Sequence, residues 1–140
     1  MDPTYTADAE AYREKVQAFL AEKLPSNWEG IGRLEGETLE IFVGEWRNTL
    51  YEANYLAPGW PKEFGGAGLS STEQVILAEE FAKAGVPTGG PNDAFSIQML
   101  GNTILVWGTD EQKAHYLPRL LKGDDTWCQG YSEPDDGSDL

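Results

Sequence analysis

Apolar residues recur at helical spacing in five segments of this chain, and Pro or Gly residues separate the segments. The first three segments run from about Thr6 to Leu24, from Thr38 to Asn54 and from Ser70 to Ala84. In each of them apolar side chains fall three or four residues apart, which places them on one face of a helix. Pro25 follows the first segment, where a proline is expected to stop the helix. This periodicity predicts an all-α fold.

The last two helical segments differ in character. The fourth, from Asn92 to Trp107, is apolar nearly all round, which is typical of a helix buried inside a bundle or against another domain. The fifth begins at Thr109, where Thr-Asp-Glu-Gln forms a capping box. Pro118 lies within it and is expected to kink it or to start a new turn. Five such patterns joined mainly by short loops predict an antiparallel helical bundle of about five helices.

A short segment after the fifth helix has a different pattern. Residues 126–132 combine Trp127 and Tyr131 with short polar neighbours, which predicts one β-strand. A single strand has no partner for its backbone N–H and C=O groups, so we expect it to be the first strand of a second, truncated β domain. The predicted division is a helical domain over residues 1–125 and the start of a β domain over residues 126–140.

Composition excludes several classes of function. The chain has 140 residues with 24 Asp and Glu against 10 Lys and Arg, a net charge of −14 that argues against nucleic-acid binding. Its longest apolar runs are too short for a membrane span, and its N-terminus resembles no targeting peptide. One cysteine, Cys128, excludes an internal disulfide. These features predict a cytoplasmic protein.

Two stretches rich in Gly and Pro carry the most specific patterns. The first is Trp-Pro-x-x-x-Gly-Gly-x-Gly, from Trp60 to Gly68. A phosphate-binding loop is one interpretation, but no strand precedes the glycines and no Lys-Ser/Thr follows them, so we predict a turn seated on the bundle by Trp60 and Phe64. The second is Ser-Glu-Pro-x-x-Gly-Ser-Asp, from Ser132 to Asp139. Such a turn can hold an anion or the edge of a heterocycle on its backbone N–H groups, or it can be a plain surface turn.

Together these stretches resemble the acyl-CoA dehydrogenase family, whose members use FAD to oxidise the α,β bond of acyl thioesters. Gly-Thr-Asp-Glu-Gln-Lys from Gly108 and Tyr-Leu-Pro from Tyr116 lie between them and match the family in order and spacing. The resemblance covers nearly the whole chain and is weakest before about Ala57. It implies the family's N-terminal helical domain followed by the start of its middle β domain.

The resemblance also implies a set of flavin-contacting residues. In the family, the residue matching Ser132 reaches the pyrimidine edge of the flavin, and the residue matching Ser138 lies near the FAD pyrophosphate and the bound thioester. The implied cofactor-binding residues are Gln129, Gly130, Tyr131, Ser132, Gly137 and Ser138, with Ser138 also binding substrate. Two positions depart from the family pattern: Tyr131 stands where an aliphatic residue is commoner, and Asp135-Asp136 replaces Gly-Ala.

No residue of this chain is predicted to be catalytic, because the family's base is a glutamate of the C-terminal domain. His115 and Cys128 have no partner at metal-ligand or catalytic spacing, and we expect Cys128 to be a small buried hydrophobe. The partners that the resemblance implies are an acyl-CoA substrate, an electron-accepting flavoprotein or other acceptor, and a homo- or hetero-oligomeric assembly. Two alternatives stay open: a non-catalytic helical subunit or interaction module of a hetero-oligomeric enzyme, and an oxidase or monooxygenase relative.

Overall fold

The structure is a computed structural model that describes residues 5–131, and within that range every regular element is helical. The predicted all-α class is thereby confirmed. The helices are α1 (Ala7–Lys23), α2 (Gly36–Glu52), α3 (Ser71–Ala84), α4 (Asn102–Trp107) and α5 (Asp110–Lys122), with a π-helix (Ala94–Gly101) running directly into α4. The chain divides into two compact units, one ending at Pro91 and the other beginning at Asn92.

The predicted helix starts at Thr6, Ser70 and Thr109 are confirmed by their caps, whereas α2 begins at Gly36 and the π-helix at Ala94 without a side-chain cap. The Ser70 hydroxyl accepts a hydrogen bond from the Glu73 N–H, and the Glu73 carboxylate accepts one from the Ser70 N–H at 2.8 Å. Thr109 and Gln112 make the same reciprocal pair at the start of α5. Because the first N–H groups of a helix have no partner within the helix, each capping box fixes where its helix begins.

In the first unit, α1 packs against α3 over a buried apolar core. The largest fully buried side chains of this unit are those of Phe81, Leu50, Ile76 and Val16. Two tryptophans make hydrogen bonds through their indole N–H groups. Trp28 donates to the Ala84 carbonyl, and Trp46 donates to the Pro87 carbonyl. These bonds tie the segment after α3 to the rest of the unit.

A buried ionic cluster also joins α1 to α3. The carboxylate of Glu80, which is 5% exposed, accepts hydrogen bonds from Arg13 and Gln17 of α1 and from Lys83 one turn along α3. Burial alone disfavours an ionised carboxylate, and the three donors offset that cost.

The Gly-rich loop between α2 and α3 is a turn, as predicted. Its amides are used within the loop: the N–H groups of Gly66 and Gly68 donate to the carbonyls of Pro61 and Trp60. Trp60 is buried and Phe64 is half-buried, so they seat the loop as expected. With its glycine amides paired internally, the loop does not present them to a phosphate.

The fourth helical segment is less buried than its apolar sequence predicts. In the second unit Ile97 is buried, but Met99, Val106 and Trp107 are 51%, 64% and 84% exposed. The described residues therefore do not bear out a helix buried inside the bundle, and the alternative, a helix buried against another domain, stays a prediction. An apolar pattern shows that a helix face has to be buried, but it does not show which part of the protein buries it.

The predicted β-strand is also absent from residues 126–131, the part of it that the structure describes. Residues 126–131 have no regular secondary structure, and residue 132 lies outside that range. The physical reason is the one that makes an isolated strand unfavourable: residues 5–131 contain no other strand to pair with its backbone groups. Pro118 lies inside α5, which continues past it to Lys122, and the expected kink at this residue stays a prediction.

Candidate functional site

The candidate site lies in the second unit, where the chain leaves α5. Gly123 ends the helix in the left-handed conformation, with φ of 85°, and the next residues fold back along α5. There the Arg119 guanidinium donates two hydrogen bonds, of 2.7 and 2.6 Å, to the two carboxylate oxygens of Asp125. This pairing raises the pKa of Arg119 and lowers that of Asp125, so the ion pair is charged at neutral pH.

Two residues further on, Trp127 is held by a second contact. Its backbone N–H donates to the Ser96 hydroxyl at 3.1 Å, and Ser96 is only 3% exposed. Its indole meets the Tyr116 ring edge to face, with centroids 5.9 Å apart. The segment after α5 is thus attached to both α5 and the π-helix.

An apolar cavity of about 300 Å³ lies beside Trp127. Its walls come from the π-helix, α4, α5 and the segment after α5. The lining residues are Leu100, Thr103, Ile104, Trp107, Gly108, Gln112, Tyr116 and Trp127. A concave, mainly apolar surface with few polar groups is suited to a hydrocarbon moiety.

The three candidate flavin residues within the described range follow this cavity along the chain. Gln129, Gly130 and Tyr131 are all exposed, and a Cβ placed on Gly130 would meet no atom within 4 Å. Exposed residues beside open space leave room for the edge of a large planar ligand. The other candidates, Ser132, Gly137 and Ser138, lie outside the described residues, as do Asp135 and Asp136.

Sequence reasoning missed three residues of this region. Ser96 is one of few polar residues in an otherwise apolar segment, and a buried serine there was a signal that its hydroxyl has a partner. Arg119 and Asp125 flank Gly123, and a helix-ending glycine brings such flanking residues close together.

Cys128 is exposed, so the expectation that it is a small buried hydrophobe is wrong. It belongs to the same uncovered segment as Gln129 and Gly130. His115 is exposed and contacts Tyr116. Between residues 5 and 131 no three His, Cys, Asp or Glu side chains are grouped so as to bind a metal ion. In the same range no helix combines the length and the hydropathy needed to cross a bilayer.

Comparison with known proteins identifies the fold. Residues 6–124 match the family model of the acyl-CoA dehydrogenase N-terminal domain. The chain belongs to the acyl-CoA dehydrogenase family. It is 37% identical to acyl-CoA dehydrogenase IpdE1 of Mycobacterium tuberculosis over 95% of its own length and 35% of the relative's.

Two solved structures are similar to the chain at 34% identity and a TM-score of 0.67. One is the Tcur3481-Tcur3483 steroid ACAD, where the match covers 99% of this chain and 35% of that chain. The other is the ChsE4-ChsE5 complex from Mycobacterium tuberculosis, where it covers 99% and 34%. The chain therefore spans about a third of the length of these proteins.

Proposed function

We propose that the full-length protein is an FAD-dependent acyl-CoA dehydrogenase in which this chain forms one wall of the acyl pocket and the first flavin-contacting segment. The observation that carries the proposal is the position of the apolar cavity, which shares Trp127 with the segment leading to Gln129, Gly130 and Tyr131. In this arrangement a hydrocarbon chain and a flavin edge lie against neighbouring parts of one unit. The division into a helical domain over residues 1–125 and a β domain from residue 126 is part of the proposal.

The described residues fit a flavin. The space that a Cβ at position 130 would enter is open, because position 130 is a glycine with no atom nearby. Gln129 has an exposed amide side chain. When bound, FAD supplies the acceptor for the hydride that leaves the β-carbon of the thioester. The part of this chain would be to bind and orient: by the family resemblance, backbone N–H groups from Gln129 to Ser132 would hold the pyrimidine edge, and Gly137 and Ser138 would hold the pyrophosphate. Donors placed there stabilise negative charge on the ring.

We further propose that the acyl group is bulky and polycyclic and that the enzyme is cytoplasmic and hetero-oligomeric. The similarity to a steroid ACAD supports the first point, and the similarity to two-protein complexes supports the last. A cavity lined by Trp107, Tyr116 and Trp127 offers broad aromatic surfaces to such a group. An electron-accepting flavoprotein or other acceptor would reoxidise the flavin.

A second candidate function follows from the same complexes. In a hetero-oligomer one subunit can lack a complete flavin site, and Asp135-Asp136 places two negative charges where the family has Gly-Ala, beside the expected phosphate position. This chain would then belong to a helical subunit that stabilises a catalytic partner.

A flavin titration of the full-length protein decides between the two. We expect stoichiometric FAD with a flavin absorbance spectrum, and bleaching of that spectrum by a steroid-type acyl-CoA faster than by a short-chain acyl-CoA. Gly130→Ala should weaken FAD binding, since the added methyl group enters the space reserved for the flavin. Gly44→Ala is the matched control, because Gly44 also has no neighbouring atom within 4 Å but lies in α2. A protein that takes up no FAD, alone or with its partner, would support the non-catalytic subunit.

A further inference from the structure

We propose that Ser96 and the Arg119–Asp125 ion pair are positioning residues that set where Trp127 and the flavin-contacting segment lie. This inference rests on the proposed function. None of the three side chains is assigned a contact with flavin or substrate; each acts through the backbone of residues 125–131.

Two contacts attach the segment after α5 to the rest of the second unit. Ser96 accepts the Trp127 N–H at 3.1 Å, and Asp125 binds the Arg119 guanidinium through both of its oxygens. Gln129, Gly130 and Tyr131 are exposed. Two anchors therefore hold residues 125 and 127, immediately before the stretch proposed to contact the flavin.

Ser96 is well suited to this role because of its burial. Ser96 is only 3% exposed, so its hydroxyl is shielded from water where it accepts the Trp127 N–H, and removing it removes that hydrogen bond. Its place in the π-helix is also informative, since π-helical turns are rare and occur frequently at functional sites.

Trp127 links the proposed acyl pocket to the segment proposed to contact the flavin. The Trp127 indole lines the apolar cavity and meets the Tyr116 ring, while its backbone is bound to Ser96. A shift of this backbone changes both the wall of the acyl pocket and the start of the flavin segment. Loss of the Ser96 hydroxyl should therefore alter flavin affinity and acyl-CoA KM together.

The test compares Ser96→Ala, Ser96→Thr and Asp125→Asn with wild type in the full-length protein. In Ser96→Ala we expect the Trp127 amide to exchange with deuterium about threefold to tenfold faster and FAD affinity to fall by a similar factor, the effect of losing one hydrogen bond. The visible circular dichroism of bound flavin should change as well. Ser96→Thr keeps the hydroxyl and should restore the flavin spectrum. Asp125→Asn should act in the same direction but more weakly, since Arg119 is 43% exposed.

Thr49→Ala serves as the control, because it removes one hydroxyl hydrogen bond, to the Glu45 carbonyl, within α2. It should leave the flavin spectrum and FAD affinity unchanged. If wild type binds FAD and Ser96→Ala binds it equally well with the same spectrum, the positioning role is wrong and the proposed function stands. If wild type binds no FAD, both are wrong.

Discussion

At the scale of single residues, two glycines have opposite surroundings. A Cβ on Gly66 would lie 2.1 Å from the Trp60 carbonyl oxygen, whereas a Cβ on Gly44 would meet no atom beyond its own helix within 4 Å. Position 66 requires glycine because the Trp60 backbone approaches too closely for a side chain. Gly44 has no such requirement and lowers the stability of α2. The sequence shows a glycine at both positions without distinguishing these cases.

We expect Gly66→Ala to lower the free energy of unfolding by about 1–3 kcal/mol, because the clash is with backbone atoms that cannot rotate away. Gly44→Ala should raise it by roughly 0.5–1 kcal/mol, since alanine loses less conformational entropy than glycine within a helix. Urea denaturation of the chain measures both. Equal effects of the two substitutions would contradict the close approach at Trp60.

At the scale of secondary-structure elements, α1 and α3 are joined by apolar packing and by the charges around Glu80. Burial raises the pKa of Glu80, but hydrogen bonds from Lys83, Gln17 and Arg13 outweigh it and lower the pKa to about 2. A carboxyl group with a depressed pKa stabilises the fold above its unfolded pKa of about 4.3. That contribution is lost as the pH falls from about 4.3 through 2.

We expect Glu80→Gln to reduce the free energy of unfolding at pH 7 by about 1.5–3 kcal/mol, the range for hydrogen bonds to charged groups. The difference from wild type should shrink at pH 3, where wild type has lost part of the same stabilisation. Denaturation at both pH values checks this. Glu79→Gln is the control with a smaller expected effect, because the Glu79 side chain is 35% exposed. A difference independent of pH would show that the charge of Glu80 is not what stabilises the pair of helices.

The fourth and fifth helices differ in what their apolar residues contribute. Leu117 is fully buried, and we expect Leu117→Ala to cost about 2–5 kcal/mol. Trp107 is 84% exposed, so Trp107→Ser should change the stability of this chain by less than about 0.5 kcal/mol. Thermal or urea unfolding of the two variants tests the contrast. A large loss in Trp107→Ser would mean that Trp107 is covered in solution.

At the scale of the whole molecule, the proposed function gives this chain only part of a flavin site. We expect the 140-residue chain alone to have no dehydrogenase activity and to bind FAD weakly, because a short exposed segment offers few hydrogen bonds of about 0.5–1.5 kcal/mol each against at least ~4 kcal/mol of lost rigid-body freedom. Isothermal titration with FAD measures the binding. Stoichiometric flavin that co-purifies with this chain would contradict it.

The described helices could largely be predicted from sequence, and the reason is local. Thr6, Ser70 and Thr109 cap their helices through hydrogen bonds to residues three positions away, and Gly85 and Gly123 end theirs through φ values of 64° and 85°. These interactions involve neighbours in the chain, so residue type and spacing are enough to predict them. The Gly-rich turn from Trp60 follows the same logic.

Only the tertiary structure decided which apolar faces are covered and what the polar residues bind. Met99 and Trp107 belong to the same largely apolar segment as Ile97, yet they are exposed. The contacts of Ser96 with Trp127 and of Glu80 with Arg13 join residues 31 and 67 positions apart. Contacts at that separation depend on how helices pack, which periodicity does not encode. For the same reason the strand predicted from Thr126 did not form: β-structure needs a partner in space, whereas a helix satisfies its own backbone.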